Sequence, residues 1–277
     1  MATKTLFTVP VLVSPNSDKS NGSFVCTSSA PGVYLLTFTS PPDNRLTTAF
    51  CQAFILSLDI IEFSYPTGVV ITTSGIPKFY SNGLDIEHLN STKGFFADSL
   101  FALFTRLLTY PMPTIALING HAFAGGFMVA MYHDYRIFNP SRGFLCLNEL
   151  DLGMPLQPPM SSIFRQKVVA PHVYRSLLLE AKRFGAKEAL EGGLVDALGT
   201  LDEALTFVAD RKLTEKSKTG VYGLLKREMF RETVALIDGY EGSDKYGGGL
   251  TEKEDARKKE GKSRVAEWER NAIKAKL

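Results

Sequence analysis

Asn119-Gly-His-Ala-Phe-Ala-Gly-Gly-Phe-Met-Val-Ala-Met-Tyr-His-Asp-Tyr-Arg136 is the stretch that decides how this chain folds. The apolar run before it, Thr114-Ile-Ala-Leu-Ile118, has the length and composition of a short buried strand. The run breaks at Asn119-Gly120, and a helical pattern follows from Phe123 to Tyr132. Ala124, Gly125 and Gly126 stand where that helix begins. Without bulky side chains, a ligand can come close to the backbone there, and the unpaired N–H groups of a first helical turn point outward. A developing negative charge is favoured at such a place, which makes it a candidate oxyanion site. The same residues also suit a tight strand-to-helix turn that needs small side chains only for packing. This stretch alone leaves both readings open.

A second stretch repeats the theme. Val69-Val-Ile-Thr-Thr73 reads as another buried strand and leads into Ser74-Gly-Ile-Pro-Lys-Phe-Tyr-Ser-Asn-Gly-Leu-Asp-Ile86. Asn82-Gly83 signals a turn, and Asp85 can cap a short helical segment running to Leu89. A second backbone N–H, at Leu84, is thereby displayed at a loop-to-helix junction. Two such donors from separate strand–helix units are what a thioester carbonyl needs when it becomes an enolate.

Composition bounds the rest. The 277 residues are 44% hydrophobic and 22% charged, enough for a sizeable core. A formal charge of +2 gives no case for nucleic acid or an anionic membrane as main partner. Cys26, Cys51 and Cys146 are widely spaced and read as reduced core thiols. His88, His121 and His172 have no metal-ligand spacing. The segment Leu6 to Val13 is short, is interrupted by Thr8 and Pro10, and lacks the marks of a secretory signal. No run approaches the length of a membrane span.

Along the chain, Asn16 to Ser29 reads as a Ser/Asn-rich loop, Val33 to Phe38 as a strand and Ser40 to Asn44 as a turn. Helical periodicity covers Leu46 to Phe63 and Phe95 to Leu108, and Tyr135 to Phe138 is a further strand. This alternation is that of an α/β fold. After Pro158 the pattern turns helical at 160–169, 171–183, 186–191, 201–213 and from about Val221 onward, with a Gly-rich break from Tyr240 to Leu250. The mixed charges of Glu252 to Glu260 read as a solvated helix face.

The pair Ser81-Asn-Gly-Leu-Asp85 and Gly120-His-Ala-Phe-Ala-Gly-Gly-Phe127, followed by His133-Asp-Tyr-Arg136, resembles the crotonase (enoyl-CoA hydratase/isomerase) superfamily, over roughly residues 32 to 205. The resemblance implies a crotonase-like spiral of ββα units over 1–205 that carries an acyl-CoA site. A C-terminal helical region, 206–277, would then serve oligomer packing in a homotrimer or hexamer. It makes the N–H groups of Leu84 and Gly125 the oxyanion hole. Ser81, Asn82, Gly83, Asp85, Gly126, Asn148 and Lys78 become the residues around the substrate. No metal or redox cofactor enters, because coenzyme A is part of the substrate.

Reaction type rests on carboxylates. In hydratases of the family two glutamates hold a water, one of them three residues beyond the oxyanion glycine; here that position is Met128. The other family position matches Glu149, and a lone carboxylate is equipment for a proton shuttle in which its pKa should be raised by burial, with Met128 and Phe127 as the apolar neighbours. Asp151 would share a side with Glu149 if the segment were extended, and is the internal rival for the acid. A dienoyl-CoA isomerase would want an acid at position 157, where Gln157 stands. His133-Asp134 lacks a nucleophile in a suitable context and reads as structural. The resemblance thus implies a Δ3,Δ2-enoyl-CoA isomerase of unsaturated fatty acid β-oxidation. The alternatives are another acyl-CoA enzyme of the fold or a non-catalytic binding protein. Ala275-Lys276-Leu277 is a variant of the Ser-Lys-Leu peroxisomal address, and with this family it implies the import receptor as a partner and the peroxisome as location.

Overall fold

The computed structural model of the chain describes residues 4–12, 19–240 and 250–274. A seven-stranded sheet opens with β1 (Lys4–Leu12), β2 (Ser20–Ala30) and β3 (Val33–Thr39), paired antiparallel in that order. Helix α1 (Thr48–Ser64) follows, its first turn closed by the Thr47 hydroxyl, which accepts from Phe50 N at 3.2 Å. The chain then repeats one theme, in which a buried strand enters the large sheet, a short strand joins a second sheet, and a helix follows. The first round is β4 (Val69–Ser74), β5 (Phe79–Ser81) and α2 (Ile86–Ser91), extended by a π-helical segment (Phe96–Phe101) that runs into α3 (Ala102–Leu108). The second is β6 (Thr114–Ile118), β7 (His121–Phe123) and α4 (Gly125–Tyr132). The third is β8 (Tyr135–Phe138), β9 (Leu145–Cys146) and α5 (Glu149–Leu152). Strands β3, β4, β6 and β8 run parallel, and β5, β7 and β9 form the second parallel sheet. This is the spiral of ββα units that the resemblance implies.

The parallel part of the large sheet is buried on both faces, which is why β4 and β6 read as apolar runs. Val69, Ile71, Ile115, Leu117 and Ile137 point to one face. Helix α9 (Leu201–Asp210) covers that face with Phe207 and Val208. Val70, Ala116, Ile118 and Phe138 point to the other, into a core shared with Phe50, Phe54 and Leu58 of α1. Helices α6 (Pro158–Lys167), α7 (Pro171–Leu179) and α8 (Ala186–Glu191) lead to β10 (Ala197–Leu198), which joins the sheet beside β8. Helix α10 (Tyr222–Met229) docks on this body through a buried ion pair, Lys226 Nζ to Asp134 Oδ1 at 2.8 Å, and Lys226 also donates to Leu107 O at 2.9 Å. Helices α11 (Arg231–Asp238) and α12 (Leu250–Lys274) complete the described chain.

Several boundaries depart from the sequence reading. Residues 20–30 are not loop but strand β2, whose Phe24 and Cys26 are wholly buried. Pairing on both sides holds this strand, so polar Ser and Asn flanks do not prevent it. Strand β1 was not expected; as the sheet edge it tolerates Pro10. Helix α7 stops at Leu179 ahead of Ala181, which takes φ 46°, and α9 stops at Asp210 ahead of Lys212 at φ 50°. The expected Gly-rich break from Tyr240 to Leu250 falls at residues 241–249, outside the described residues. Cys26, Cys51 and Cys146 are free and buried. No helix among the described residues is long and apolar enough to cross a membrane.

Candidate active site

Leu84, Gly125 and Glu149 lie on segments that follow the parallel strands β5, β7 and β9, where ligands of open α/β sheets are bound. The first segment is Ser81 to Asp85. Gly83 takes φ 84°, and a Cβ on it would come to 2.9 Å from Phe123 O and 3.1 Å from Gly125 N. Only glycine lets the two loops approach so closely. The peptide that carries the Leu84 N–H has its carbonyl, Gly83 O, held by Leu46 N at 2.8 Å. Asp85 caps α2 as expected, its carboxylate accepting from His88 N at 2.9 Å.

The second segment is Ala124 to Gly126. Ala124 sits at φ 48°, ψ −124°, a conformation that strains a residue with a Cβ by about 1–3 kcal/mol and that is met chiefly at functional sites. Its N–H goes to Cys146 O at 2.9 Å, and its carbonyl accepts from Phe127 N and Met128 N, both at 3.0 Å. Gly125 is the first residue of α4, so its N–H is an orphan of the helix start. Among the described residues, neither the Leu84 nor the Gly125 N–H donates to a turn, loop or cap carbonyl. Both donor peptides therefore have a hydrogen-bonded carbonyl and an uncommitted N–H, an arrangement that polarises the donor. A Cβ on Gly125 would stand 3.1 Å from Leu84 Cδ2, so the two donors are neighbours.

Glu149 opens α5 and is 6% exposed. Its Oε2 is buried without a hydrogen-bond partner, and so is Asn148 Oδ1. Burial raises the Glu149 carboxyl to about 7, against a smaller lowering from its own backbone N–H. Together with Leu84, Ala124, Asn82, Asn148, Arg45, Ile86, Leu152 and Met154 it lines a cavity of about 270 Å³. On its other side Glu149 borders an apolar cavity of about 330 Å³, walled by Leu147, Leu150, Leu156, Tyr174 and Leu178. Phe127 and Met128, the apolar residues expected beside it, are wholly buried, and Phe127 packs on Phe164.

Other residues fall outside the cavity. Asp151 is exposed because 149–152 is a helical turn, which sends residues two apart to different sides, so the extended geometry that would make it a rival is absent. Ser81 is buried and holds the loop: its hydroxyl donates to Asn44 O at 2.7 Å and accepts from Gly83 N. Gly126 makes room for that segment, since a Cβ on it would stand 2.4 Å from Ser81 O. Lys78 Nζ lies 5.2 Å from the Phe79 ring centre, and Lys78 O accepts from His121 N. His133 is a core residue, bonded to Thr72 Oγ1 and Val129 O, and burial pushes it down to about 3.

Two neighbours escaped the sequence reading, which saw Ser40 to Asn44 only as a turn. Asn44, wholly buried at φ 55°, accepts from Ser40 N and donates to Ser74 Oγ and Tyr80 O, tying β3, β4 and β5 together. Arg45 lines the cavity and donates to Leu84 O at 3.0 Å. An Asn at a tight turn was the available signal for the first; contacts across 39 residues leave none for the second.

Residues 28–269 match the family model for enoyl-CoA hydratase/isomerase. The chain is 30% identical over 227 residues to enoyl-CoA delta isomerase 3 of Arabidopsis thaliana, which spans 77% of this chain and 95% of that protein. It is 29% identical over 228 residues to the protein named enoyl-CoA delta isomerase 2, peroxisomal, of the same plant, with the same coverage. Its fold is similar to that of human mitochondrial delta3-delta2-enoyl-CoA isomerase, with a TM-score of 0.67, 24% identity, and coverage of 86% of this chain and 98% of that one.

Proposed function

The chain belongs to the enoyl-CoA hydratase/isomerase family, and from that premise we propose that it is a Δ3,Δ2-enoyl-CoA isomerase working by a single-glutamate proton shuttle. The observation that carries this is Glu149: one buried carboxyl with an unpartnered oxygen, raised to about 7, in the same cavity as Leu84 and Ala124. A proton at C2 of a 3-enoyl-CoA is acidified by the thioester and by the adjacent double bond. Glu149 removes it, and the C–H electron pair becomes the C1–C2 π bond. The dienolate so formed keeps the C3–C4 double bond, and the carbonyl π pair moves to the thioester oxygen. The Leu84 and Gly125 N–H groups donate to that oxygen, whose charge grows only in the dienolate, so they act on the barrier more than on binding. On reprotonation the oxygen pair re-forms the carbonyl, the C1–C2 π pair moves to C2–C3, and the C3–C4 pair takes the proton from Glu149 at C4, leaving a 2-enoyl-CoA. A pKa near the working pH suits a group that must both take and give a proton.

Asn148 and Asn82 line the same cavity and are the polar side chains assigned to the substrate. A hydratase reading lacks its second acid, since position 128 is a buried methionine. Location in the peroxisome is supported by the names of two relatives and by the terminal Ala275-Lys276-Leu277. Assembly into a trimer or hexamer is supported by Leu224, Leu225 and Met229 of α10, which are each more than 60% exposed.

The purified protein should convert 3-hexenoyl-CoA to 2-hexenoyl-CoA and hydrate 2-hexenoyl-CoA at a rate lower by at least roughly 10²-fold, the weight of a missing acid–base group. Comparable hydration and isomerisation would sink the single-acid mechanism.

A further inference from the structure

The two oxyanion donors are supported differently. Gly125 N–H belongs to a helix start, whereas Leu84 N–H is displayed by a loop. A loop donor needs an outside clamp if it is to be fixed before charge develops. Residues 43–46 supply one. Asp43 O accepts from Asn82 N at 3.0 Å, Leu46 N donates to Gly83 O at 2.8 Å, and Asp85 N donates to Leu46 O at 3.3 Å, so the two segments pair side by side. Asp43 Oδ2 accepts from Asn82 Nδ2 at 2.6 Å and from Arg45 Nε at 3.1 Å. Arg45 Nη1 closes the pattern on Leu84 O at 3.0 Å. Asp43 is buried, and Arg45 borders the cavity that also holds Glu149. The guanidinium spans Asp43 and the Leu84 carbonyl at once, a fork that an ammonium cannot reproduce.

We propose that Arg45 is the positioning residue of the oxyanion hole, holding the carbonyl of Leu84, on the peptide that follows the donor, so that the Leu84 N–H, whose own peptide is held by Leu46, meets the dienolate oxygen. The proposal rests on the isomerase reading. Arg45 is not among the groups that move the Glu149 carboxyl, so its effect should leave the proton shuttle's own titration in place. Loosening a donor matters little to a neutral thioester and much to a dienolate, so the loss should fall on kcat.

Arg45→Met and Arg45→Lys are compared with the wild type on 3-hexenoyl-CoA. The Met variant should lose roughly 10-fold or more in kcat, less than the loss of a whole donor, with KM within about twofold. The acid limb of its kcat/KM profile should not move. The Lys variant should fall between the two, since it keeps the charge and one of the contacts. Thermal unfolding, followed in parallel, should change little for a residue whose side chain is 38% exposed. In a second measurement acetoacetyl-CoA is bound and its enolate read by ultraviolet absorbance; the Met variant should hold a smaller enolate fraction, while hexanoyl-CoA binds as in the wild type. Unchanged kcat and enolate fraction would overturn the proposal. So would a raised KM with kcat intact and a steeper salt dependence, which would make Arg45 a phosphate contact. A wild type that binds acetoacetyl-CoA as enolate yet fails to isomerise 3-hexenoyl-CoA would defeat the isomerase reading, while the enolate comparison would still decide the role of Arg45.

Discussion

At the scale of the residue, the role proposed for Glu149 follows from where the chain puts it. A carboxyl that is 6% exposed, with Oε2 unpartnered, holds its proton to about 7. Replacing it by Gln keeps the shape and removes the shuttle, so kcat for isomerisation should fall by at least roughly 10²-fold while acyl-CoA binding persists. In the wild type, kcat/KM should drop about tenfold per pH unit below an acid limb near pH 7, because only the ionised carboxylate can take the C2 proton; a limb near 4.5 would contradict the burial argument. The same shift has a consequence for stability. Between the ordinary value of 4.5 and about 7 the unfolded chain has released this proton and the native chain keeps it, so stability declines as pH rises through that window, by at most about 3 kcal/mol. Glu149→Gln removes the penalty. The variant should melt with the wild type at pH 4 and above it at pH 8, and equal melting temperatures at both pH values would refute the argument.

At the scale of the element, the site depends on how α4 meets the Ser81–Asp85 loop. Gly126 lies in the first turn of α4, and a Cβ there would stand 2.4 Å from Ser81 O, a backbone atom that cannot swing away. Gly126→Ala should therefore push α4 and the loop apart, part the Leu84 and Gly125 donors, destabilise the fold by about 1–3 kcal/mol as overpacking does, and lower kcat at least tenfold. Wild-type kcat in a folded variant would mean that the donors do not depend on this contact. The elements themselves were legible in proportion to their burial. β3, β4 and β6 place Val, Ile or Leu on both faces and announce themselves. β2 shows only Phe24 and Cys26 against a polar background, and its partners, not its composition, make it a strand. Glycines marked the two loops, a capping Asp marked the start of α2, and the resemblance those loops carry singled out Leu84, Gly125 and Glu149 as candidates. Asp151 was misplaced because a four-residue helical turn has too few residues to show a period.

At the scale of the whole molecule, what could not be read was what the fold brings together from afar. Arg45 reaches Leu84, and Lys226 reaches Asp134, across separations that leave no trace in local pattern. The terminal tripeptide is the opposite case, a reading that rests on sequence alone. Helix α12 carries Glu252 to Arg270 largely in solvent, and Ala275-Lys276-Leu277 follows it, outside the described residues. A receptor-read address needs only to protrude, and a charged, exposed segment before it allows that. A fluorescent protein extended by residues 266–277 should accordingly enter peroxisomes. Removing the tripeptide from the full chain should leave that chain cytosolic in cells lacking the native protein, whose subunits could otherwise carry it in. Isomerase activity of the truncated protein should equal that of the intact one, because Leu84, Gly125 and Glu149 all lie on segments that follow the parallel strands. A reporter that stays in the cytosol would remove the peroxisomal assignment and leave the chemistry of Glu149 untouched, whereas lost activity on truncation would show that the tail belongs to the site.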